Sequence, residues 1–411
     1  MVKEVMNERA LNINMSNWTP TKLGDVLDDI SKRVDNPSQS EYDRFVGLEH
    51  FISGDIRIKN WGSTENLTSS TKAFKAGDIL FARRNAYLRR SSLVDFDGCC
   101  SGDAFVLREN LEKVVPGFMA FVINSNALWD YANENAAGTM SQRVKWRDLA
   151  NYEFLLPPKS EQARLAELLW AMDEVIDTNL KSQKSLDAFY ASTRENEFLK
   201  KGNTNALLYN SRLKEDVNID IQFIKLGQVL TDIKYGTSRK GNTEMKGVPV
   251  LGIPNVVDER LSLNNLNYAE LEGKELESCK LTNGDIVIVR TNGNPEYTGK
   301  TALYNINEGH AFASYLIKIS VDKNLINPEF LVRFLQTRTA RRYFRRHATS
   351  TAGNYNINTE TIKSIIVPVL PKEKQNEIVL KLQTIEDSMS KVSDLLIRSN
   401  FLQKSLINQI F

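Results

Sequence analysis

One stretch of this chain is written twice. Residues 155–169 read LLPPKSEQARLAELL, and residues 368–382 read PVLPKEKQNEIVLKL. Pro158 matches Pro371, Lys159 matches Lys372, Gln162 matches Gln375, Leu165 matches Ile378 and Leu169 matches Leu382. In both copies a strand-like apolar run meets proline, which is tolerated at the entry of a helix but not in its interior. A long amphipathic pattern follows each time. A chain that repeats such a unit is expected to fold as two copies of one domain, each followed by a long helix.

Other landmarks recur in the same order. Lys22-Leu-Gly-Asp-Val-Leu returns as Lys225-Leu-Gly-Gln-Val-Leu, a short strand running into a helical turn. Ala76-Gly-Asp-Ile-Leu-Phe-Ala-Arg-Arg-Asn85 returns as Asn283-Gly-Asp-Ile-Val-Ile-Val-Arg-Thr-Asn292, a tight turn feeding an apolar strand. Ala104-Phe-Val-Leu corresponds to Ser314-Tyr-Leu-Ile-Lys-Ile319, and each is followed by a proline that introduces an aromatic-rich helix, at Pro116 and Pro328. Small-residue turns, Ala136-Ala-Gly-Thr-Met-Ser and Ala348-Thr-Ser-Thr-Ala-Gly, precede the last strand of each half. Lys225 follows Lys22 by 203 residues, Gly284 follows Gly77 by 207, and Pro371 follows Pro158 by 213. This slow drift is what small loop insertions in a duplicated domain produce. Each half mixes strands and short helices around a β-rich core, so the fold class expected is α+β. The boundaries expected are a first domain over 1–158, a long helix over 159–201, a polar linker over 202–216, a second domain over 217–371 and a second long helix over 372–411.

The long helices carry apolar seams. In the first, Leu165, Leu168, Met172, Val175, Asn179, Ser182, Leu186 and Phe189 fall at alternating three- and four-residue steps. In the second, Leu382, Ile385, Met389, Val392, Leu396, Ser399, Gln403, Leu406 and Ile410 do the same. That is heptad spacing. At ~1.5 Å per residue each helix reaches roughly 60 Å, longer than a flanking domain covers. The expectation is therefore that the two helices pair, and the domain between them makes the pair antiparallel. Asn179 and Gln403 would fix its register at some cost in stability. The alternative is that each helix covers only its own domain.

Composition closes off several functions. With 53 Lys and Arg against 51 Asp and Glu, the net charge is +2, so a nucleic-acid surface has to come from local segregation of charge. Cys99, Cys100 and Cys279 have no metal-ligand spacing and are odd in number, which fits a reducing compartment. The polar N-terminus offers no signal core, and no apolar run approaches membrane-spanning length, so a soluble cytoplasmic protein is expected. Asn294-Pro-Glu-Tyr297 resembles the motif with which amino-methyltransferases hold a flipped base. It lacks the second proline, however, and none of the 21 glycines form Gly-x-Gly. Glu244-x-Lys246 and Glu272-x-Lys274 lack the Pro-Asp partner of a nuclease site, no Gly-x-x-x-x-Gly-Lys-Ser/Thr loop is present, and His50, His310 and His347 are scattered. No catalytic residue and no metal or cofactor site is expected in this chain.

Cationic clusters are local and repeated. Arg338, Arg341, Arg342, Arg345 and Arg346 share one helical face with no acid among them, an arrangement that calls for an anion such as a phosphate backbone, the alternative being a solvated face. Arg83, Arg84, Arg89 and Arg90, with Asn85 and Tyr87, form a cluster in the first half, and Arg290-Thr291-Asn292 occupies the matching strand end in the second. Arginine forks onto guanine, and asparagine or glutamine onto adenine. Thr139, Ser141, Gln142 and Arg143 in one turn, and Thr349, Ser350 and Asn354 in the other, offer hydroxyl, amide and backbone contacts to phosphate. Tyr235, Thr237, Ser238, Arg239 and Lys240 form a further candidate contact loop. For any one residue of these two turns and this loop an ordinary turn is an equal alternative, and some of the arginines at the strand ends are expected to be structural.

The duplicated Gly-Asp-Ile…Arg strand, the Ala-Gly-Thr turn and the Pro-Pro-x-x-Glu-Gln helix entry together resemble the specificity subunit of type I restriction–modification enzymes. The tract from Tyr235-Gly-Thr-Ser through Val248-Pro-Val-Leu to Gly284-Asp-Ile resembles that family's target recognition domains. The resemblance spans residues 18–411. The second half departs from it with Leu-Pro-Lys-Glu-Lys-Gln at the helix entry, and the first half lacks a Tyr-Gly-Thr-Ser loop after Ile30. The resemblance implies tandem target recognition domains separated by two long helices in an antiparallel coiled coil, with each domain reading half of a bipartite double-stranded DNA target. It also implies two modification subunits docked on the helices, bringing S-adenosylmethionine, and restriction subunits bringing ATP and Mg. From other classes there remain a scaffold that joins two partners without reading DNA and a single-chain modification enzyme.

Overall fold

A computed structural model describes residues 14–30, 32–138, 141–351 and 353–411. The chain divides into two compact units. One takes in the chain up to Ser182 together with Val392–Phe411, and the other is Gln183–Lys391.

In the first unit a four-stranded antiparallel sheet runs in the order Leu27–Asp29, Ala104–Glu109, Ile79–Ala82, Ser91–Leu93. The second unit repeats it as Leu230–Tyr235, Leu316–Val321, Ile286–Val289, Thr301–Leu303. Each unit adds another sheet holding one parallel pair, Arg44–Val46 with Gly98–Cys100 in the first and Val248–Leu251 with Ala311–Phe312 in the second. Each also ties an early strand to its last, Thr19–Lys22 with Glu153–Leu156 and Gln222–Lys225 with Ile366–Val369. The duplication is therefore one of topology as well as sequence.

The central strands show why an uninterrupted apolar run is needed there. Side chains alternate across a strand. Ile79 and Phe81 enter one core while Leu80 enters another; likewise Ile286 and Ile288 enter one core while Val287 and Val289 enter a second. The turn before each strand is set by its Gly-Asp pair. Gly77 (φ +91°) and Gly284 (φ +100°) take the left-handed conformation that glycine adopts without steric cost. Asp78 and Asp285 then each accept the backbone N–H three residues back, from Lys75 and Thr282, at 2.8 Å.

The helix entries match just as closely. Gln162 and Gln375 are buried. Gln162 accepts the N–H of Val115 and donates to the carbonyls of Lys113 and Pro157. Gln375 accepts the N–H of Asn327 and donates to the carbonyls of Leu325 and Leu370. The long helices span Lys159–Glu195, with a π-turn Asn196–Lys200, and Lys372–Ile410.

Both helices contribute to both cores. In the first unit Ala166 and Leu169 share a core with Leu406, Ile407 and Ile410, and Gln403 donates to the Leu169 carbonyl. In the second unit Tyr190, Phe198 and Leu199 share a core with Ile378, Val379 and Leu382. There Tyr190 donates to Glu386, and Lys381 pairs with Glu197 at 2.5 Å.

The seam of the first helix is turned by one residue from the sequence expectation. Leu168, Val175 and Phe189 are 47%, 52% and 56% exposed, whereas Leu169, Ile176 and Tyr190 are buried; Leu165, Met172 and Leu186 are half-buried. The buried stripe also carries Gln162, Asp173, Arg194 and Glu197. Counting apolar residues therefore selects the neighbouring, greasier stripe. Asp173 is tolerated there because Arg57 pairs with it at 3.3 Å and lies over the Trp170 ring. Burial raises the Asp173 pKa and the Arg57 charge opposes the rise. In the second helix the buried and half-buried stripe runs through Leu382, Ile385, Met389, Val392, Leu396, Leu406 and Ile410.

The segment expected as a linker, 202–216, contains structure. Leu207–Asn210 pairs with Glu215–Asn218 in a hairpin, and Glu215 holds Lys200 at 3.1 Å and Arg342 at 2.8 Å. The three cysteines are buried and unpaired, and burial pushes the Cys100 thiol up to about 12. Among the described residues no helix is long and apolar enough to cross a membrane, and no group of His, Cys, Asp and Glu is arranged to hold a metal ion.

Candidate nucleic-acid interface

In the first unit the strand Ile79–Ala82 runs out at Arg83, and a distant segment is laid along its end. The N–H of Arg83 donates to Asp103, Val144 donates to the Arg83 carbonyl, and Asn85 donates to the Gln142 carbonyl. Arg84 and Arg143 form a β-bridge. The clusters at 83–90 and 141–143, far apart in sequence, thus form one surface. Thr139 lies outside the described residues.

At its centre three guanidinium groups meet one carboxylate. Arg143 binds Asp103 through two hydrogen bonds, at 2.9 and 3.3 Å, and Arg83 and Arg84 each approach to 3.7 Å. The Arg143 hydrogen bond, with the charges of all three arginines, holds the Asp103 carboxyl below the usual carboxylate range against the opposing effect of burial. Among the described residues that one carboxylate is set against three guanidinium charges, a net of two positive charges in the cluster. Beside it, Asn85 (φ 54°) and Arg89 (φ 49°) bracket the short turn Ala86–Leu88 and leave Tyr87 63% exposed. Ser141 is half-buried and Gln142 exposed.

Arg89 and Arg90 behave differently from the sequence expectation. Arg89 donates to Asn126 at 2.6 Å and Asp130 at 2.7 Å, and Arg90 donates to the Leu48 carbonyl at 2.9 Å. They pin the loop to the domain, and burial lowers the pKa of Arg90.

The second unit builds the same strand end with the same backbone bonds and other side chains. Arg290 donates its N–H to Tyr315 and accepts from Ile357, as Arg83 does with Asp103 and Val144. Tyr315, strongly exposed, therefore stands where the first unit has its carboxylate. The Arg290 guanidinium lies over the Tyr235 ring, 4.9 Å from its centre. Thr291–Asn292 joins a small sheet with Asn354–Asn356 and Thr349–Thr351, so Thr291, Asn292, Thr349, Ser350 and Asn354 lie side by side.

In the adjoining loop, Thr237 is buried and structural. Its hydroxyl donates to Glu275, its N–H donates to Phe312, and its carbonyl accepts from Ser314. Arg239 pairs with the same Glu275 at 3.1 Å, and Ser238 and Lys240 are exposed. Gly236 is required by close approach, since a Cβ there would lie 2.1 Å from the Phe312 carbonyl oxygen.

The arginine face on the helix Arg338–His347 is not bare. Arg341 donates to the carbonyls of Thr298 (3.0 Å) and Glu296 (2.6 Å), Arg342 pairs with Glu215, Arg345 pairs with Glu296, and Arg346 donates to the Arg212 carbonyl. Burial and the neighbouring Arg345 charge lower the Arg341 pKa to about 10. The expectation of an unpartnered phosphate face fails because these acids and carbonyls arrive from segments tens of residues or more away. Arg338 is exposed.

Sequence reasoning passed over Asp103, Tyr315 and Asn356. The first two sit at equivalent positions in the repeat, so aligning the two halves was the available signal. Asn356, at the end of the strand that pairs Thr291–Asn292 with Thr349–Thr351, carried none.

Two copies of one α+β domain, each presenting a basic or aromatic strand end, define a tandem-domain recognition protein. A family model described as type I restriction modification DNA specificity domain matches residues 15–188 and 218–394. The chain belongs to that family. It is 25% identical over 360 residues to the type I restriction enzyme EcoKI specificity subunit of Escherichia coli K12, covering 84% of this chain and 76% of that one. It is 23% identical over 358 residues to the StySPI specificity subunit of Salmonella potsdam, with the same coverage. In fold it is similar to the type I restriction–modification S subunit from M. genitalium, with a TM-score of 0.59, 16% identity and 98% of both chains covered. A chain from a structure of type I R-M complex assembly and conformational transition also has a TM-score of 0.59, with 21% identity and 96% of both chains covered.

Proposed function

We propose that this chain is the address-bearing subunit of a type I restriction–modification complex. Each domain reads one half of a bipartite double-stranded DNA target. The observation that carries this is the doubled strand end: identical backbone bonds at Arg83 and Arg290, but a carboxylate-centred arginine cluster in one unit and an arginine–tyrosine–asparagine surface in the other. One scaffold dressed with different side chains is suited to two different half-sites, because base edges are told apart by the donors and acceptors that meet them.

The two long helices act as an antiparallel coiled-coil spacer. Supporting this, early residues of the first helix meet late residues of the second in one unit, and the reverse holds in the other. Two modification subunits dock on the helices, and restriction subunits assemble with them in the cytoplasm. The chain itself is non-catalytic. S-adenosylmethionine, ATP and Mg belong to those partners, and any base to be methylated is flipped into the partner's pocket.

The test is a genome-wide map of adenine methylation with and without this gene. Loss of methylation at one split motif is the expected result and gives both half-sites and the gap. If methylation is unchanged, anisotropy titration of the complex with its modification subunit against genomic DNA fragments decides. Binding without sequence preference or salt dependence would leave a scaffold role instead.

A further inference from the structure

A cleft of about 520 Å³ opens in the second unit at the hairpin turn 211–214. It is lined by Arg212, Lys214, Lys225 and Arg346, with the Tyr343 phenol and the His347 ring beside them, and among the described residues no carboxylate lines it. Four elements bring these groups together: the hairpin turn, the end of the strand Gln222–Lys225, the last turn of the helix Arg338–His347, and the end of the helix Thr359–Ser364. The neighbouring acid, Glu215, is already taken by Lys200 and Arg342. Among the described residues, the side chains of Arg212, Lys214 and Lys225 make no ion pair. Arg346 spends one N–H on the Arg212 carbonyl and brings its charge to the rim. His347 bonds the Tyr343 carbonyl through Nδ1 and stacks on the Tyr343 ring, which leaves Nε2 as its free edge. The charges of Arg212 and Arg346 act on the phenol, opposing the rise in pKa that burial imposes.

Four like charges around one concavity repel one another, and among the described residues no carboxylate pairs with Arg212, Lys214, Lys225 or Arg346. We propose that this cleft is a phosphate-binding site. The guanidinium forks of Arg212 and Arg346 suit two oxygens of one phosphoryl group, and lysines act as point charges around it. The phosphate comes either from a nucleic-acid backbone or from a free phosphate compound.

The test uses the full-length chain, inorganic pyrophosphate followed by phosphorus NMR, and a short duplex lacking the methylated motif followed by anisotropy. R212Q/K225Q changes two exposed side chains, and K214Q/K225Q is a second variant should the first melt early. Pyrophosphate binding is expected to weaken roughly tenfold or more in the variants, from the loss of charge-assisted hydrogen bonds. If duplex binding weakens in parallel and pyrophosphate competes with the duplex, the phosphate is that of the backbone. If only pyrophosphate binding weakens, the site takes a free phosphate compound. Equal pyrophosphate binding by wild type and correctly folded variants, or none by wild type, overturns the proposal. Absence of any target preference in the wild-type complex, with its pyrophosphate binding intact and weakened in the variants, would count against the DNA-reading function alone.

Discussion

Asp103 and Arg143 are joined by two hydrogen bonds across 40 residues of sequence, and that pair anchors the turn at 141–144 to the end of the strand Ile79–Ala82. One carboxylate there restrains three guanidinium groups, so it governs how much positive charge the surface offers.

Asp103→Asn should release that charge. Affinity for DNA lacking the target should rise, discrimination between target and non-target should fall, and the slope of log affinity against log salt should steepen, checked by anisotropy over a salt series. The Arg143 hydrogen bond depresses the folded-state pKa of Asp103, so its stabilising contribution is present above the ordinary carboxylate pKa and is lost as pH falls through the lower folded value. Wild type should therefore lose more stability than Asp103→Asn as pH drops below the ordinary carboxylate range.

Gln162→Ala and Gln375→Ala should each destabilise their own unit by about 1–3 kcal/mol, because each leaves an N–H and two carbonyls without their partner. Similar costs for the two, read by chemical denaturation, would establish that they do the same physical job. A cost at only one site would break the equivalence.

Arg341→Ala should cost about 1–3 kcal/mol by orphaning the carbonyls of Thr298 and Glu296. Arg338→Ala, on an exposed side chain, should stay within about 0.5 kcal/mol. Thermal melts of the two proteins separate arginines that hold the helix in place from one that is free to meet a ligand.

On the first long helix, Leu169→Ala should cost about 2–5 kcal/mol as a core cavity. Leu168→Ala, one residue away and exposed, should stay within about 0.5 kcal/mol. If a modification subunit covers the exposed stripe, Leu168→Ala should instead weaken assembly of the complex, read by analytical ultracentrifugation.

Removing one heptad from each long helix should shorten the gap between the half-sites or abolish methylation. An unaltered split motif in the methylation map would end the spacer idea.

The duplication was legible because it is written in residues with single physical roles. A Gly-Asp turn needs positive φ and an Asx acceptor, and a proline-then-glutamine helix entry needs a buried side-chain amide. The joining of Arg83–Asn85 to 142–144, and of Thr291–Asn292 to 349–356, was visible only as two motifs in each half, since pairing of distant strands leaves no local mark. The phase of the first long helix was hidden because its buried stripe carries Asp173 and Arg194, whose partners Arg57 and Glu259 lie far off in sequence. The arginine face misled for the same reason, with Glu215 and Glu296 arriving from other segments. The hairpin at 207–218 is short and polar at its turn, and exposed Leu207, Leu208 and Tyr209 give it no amphipathic signature.

The core of the first unit includes Leu406, Ile407 and Ile410, and Asn408 accepts the N–H of Asn126 at the start of a short helix. During synthesis these residues leave the ribosome only after the whole second unit has been made. The first unit therefore waits with an open core while the second emerges, a reversal of the usual order in which an N-terminal domain is finished first. A ribosome that stalls late in the message would spoil the half of the protein made earliest, and chaperones should hold the nascent chain through that interval.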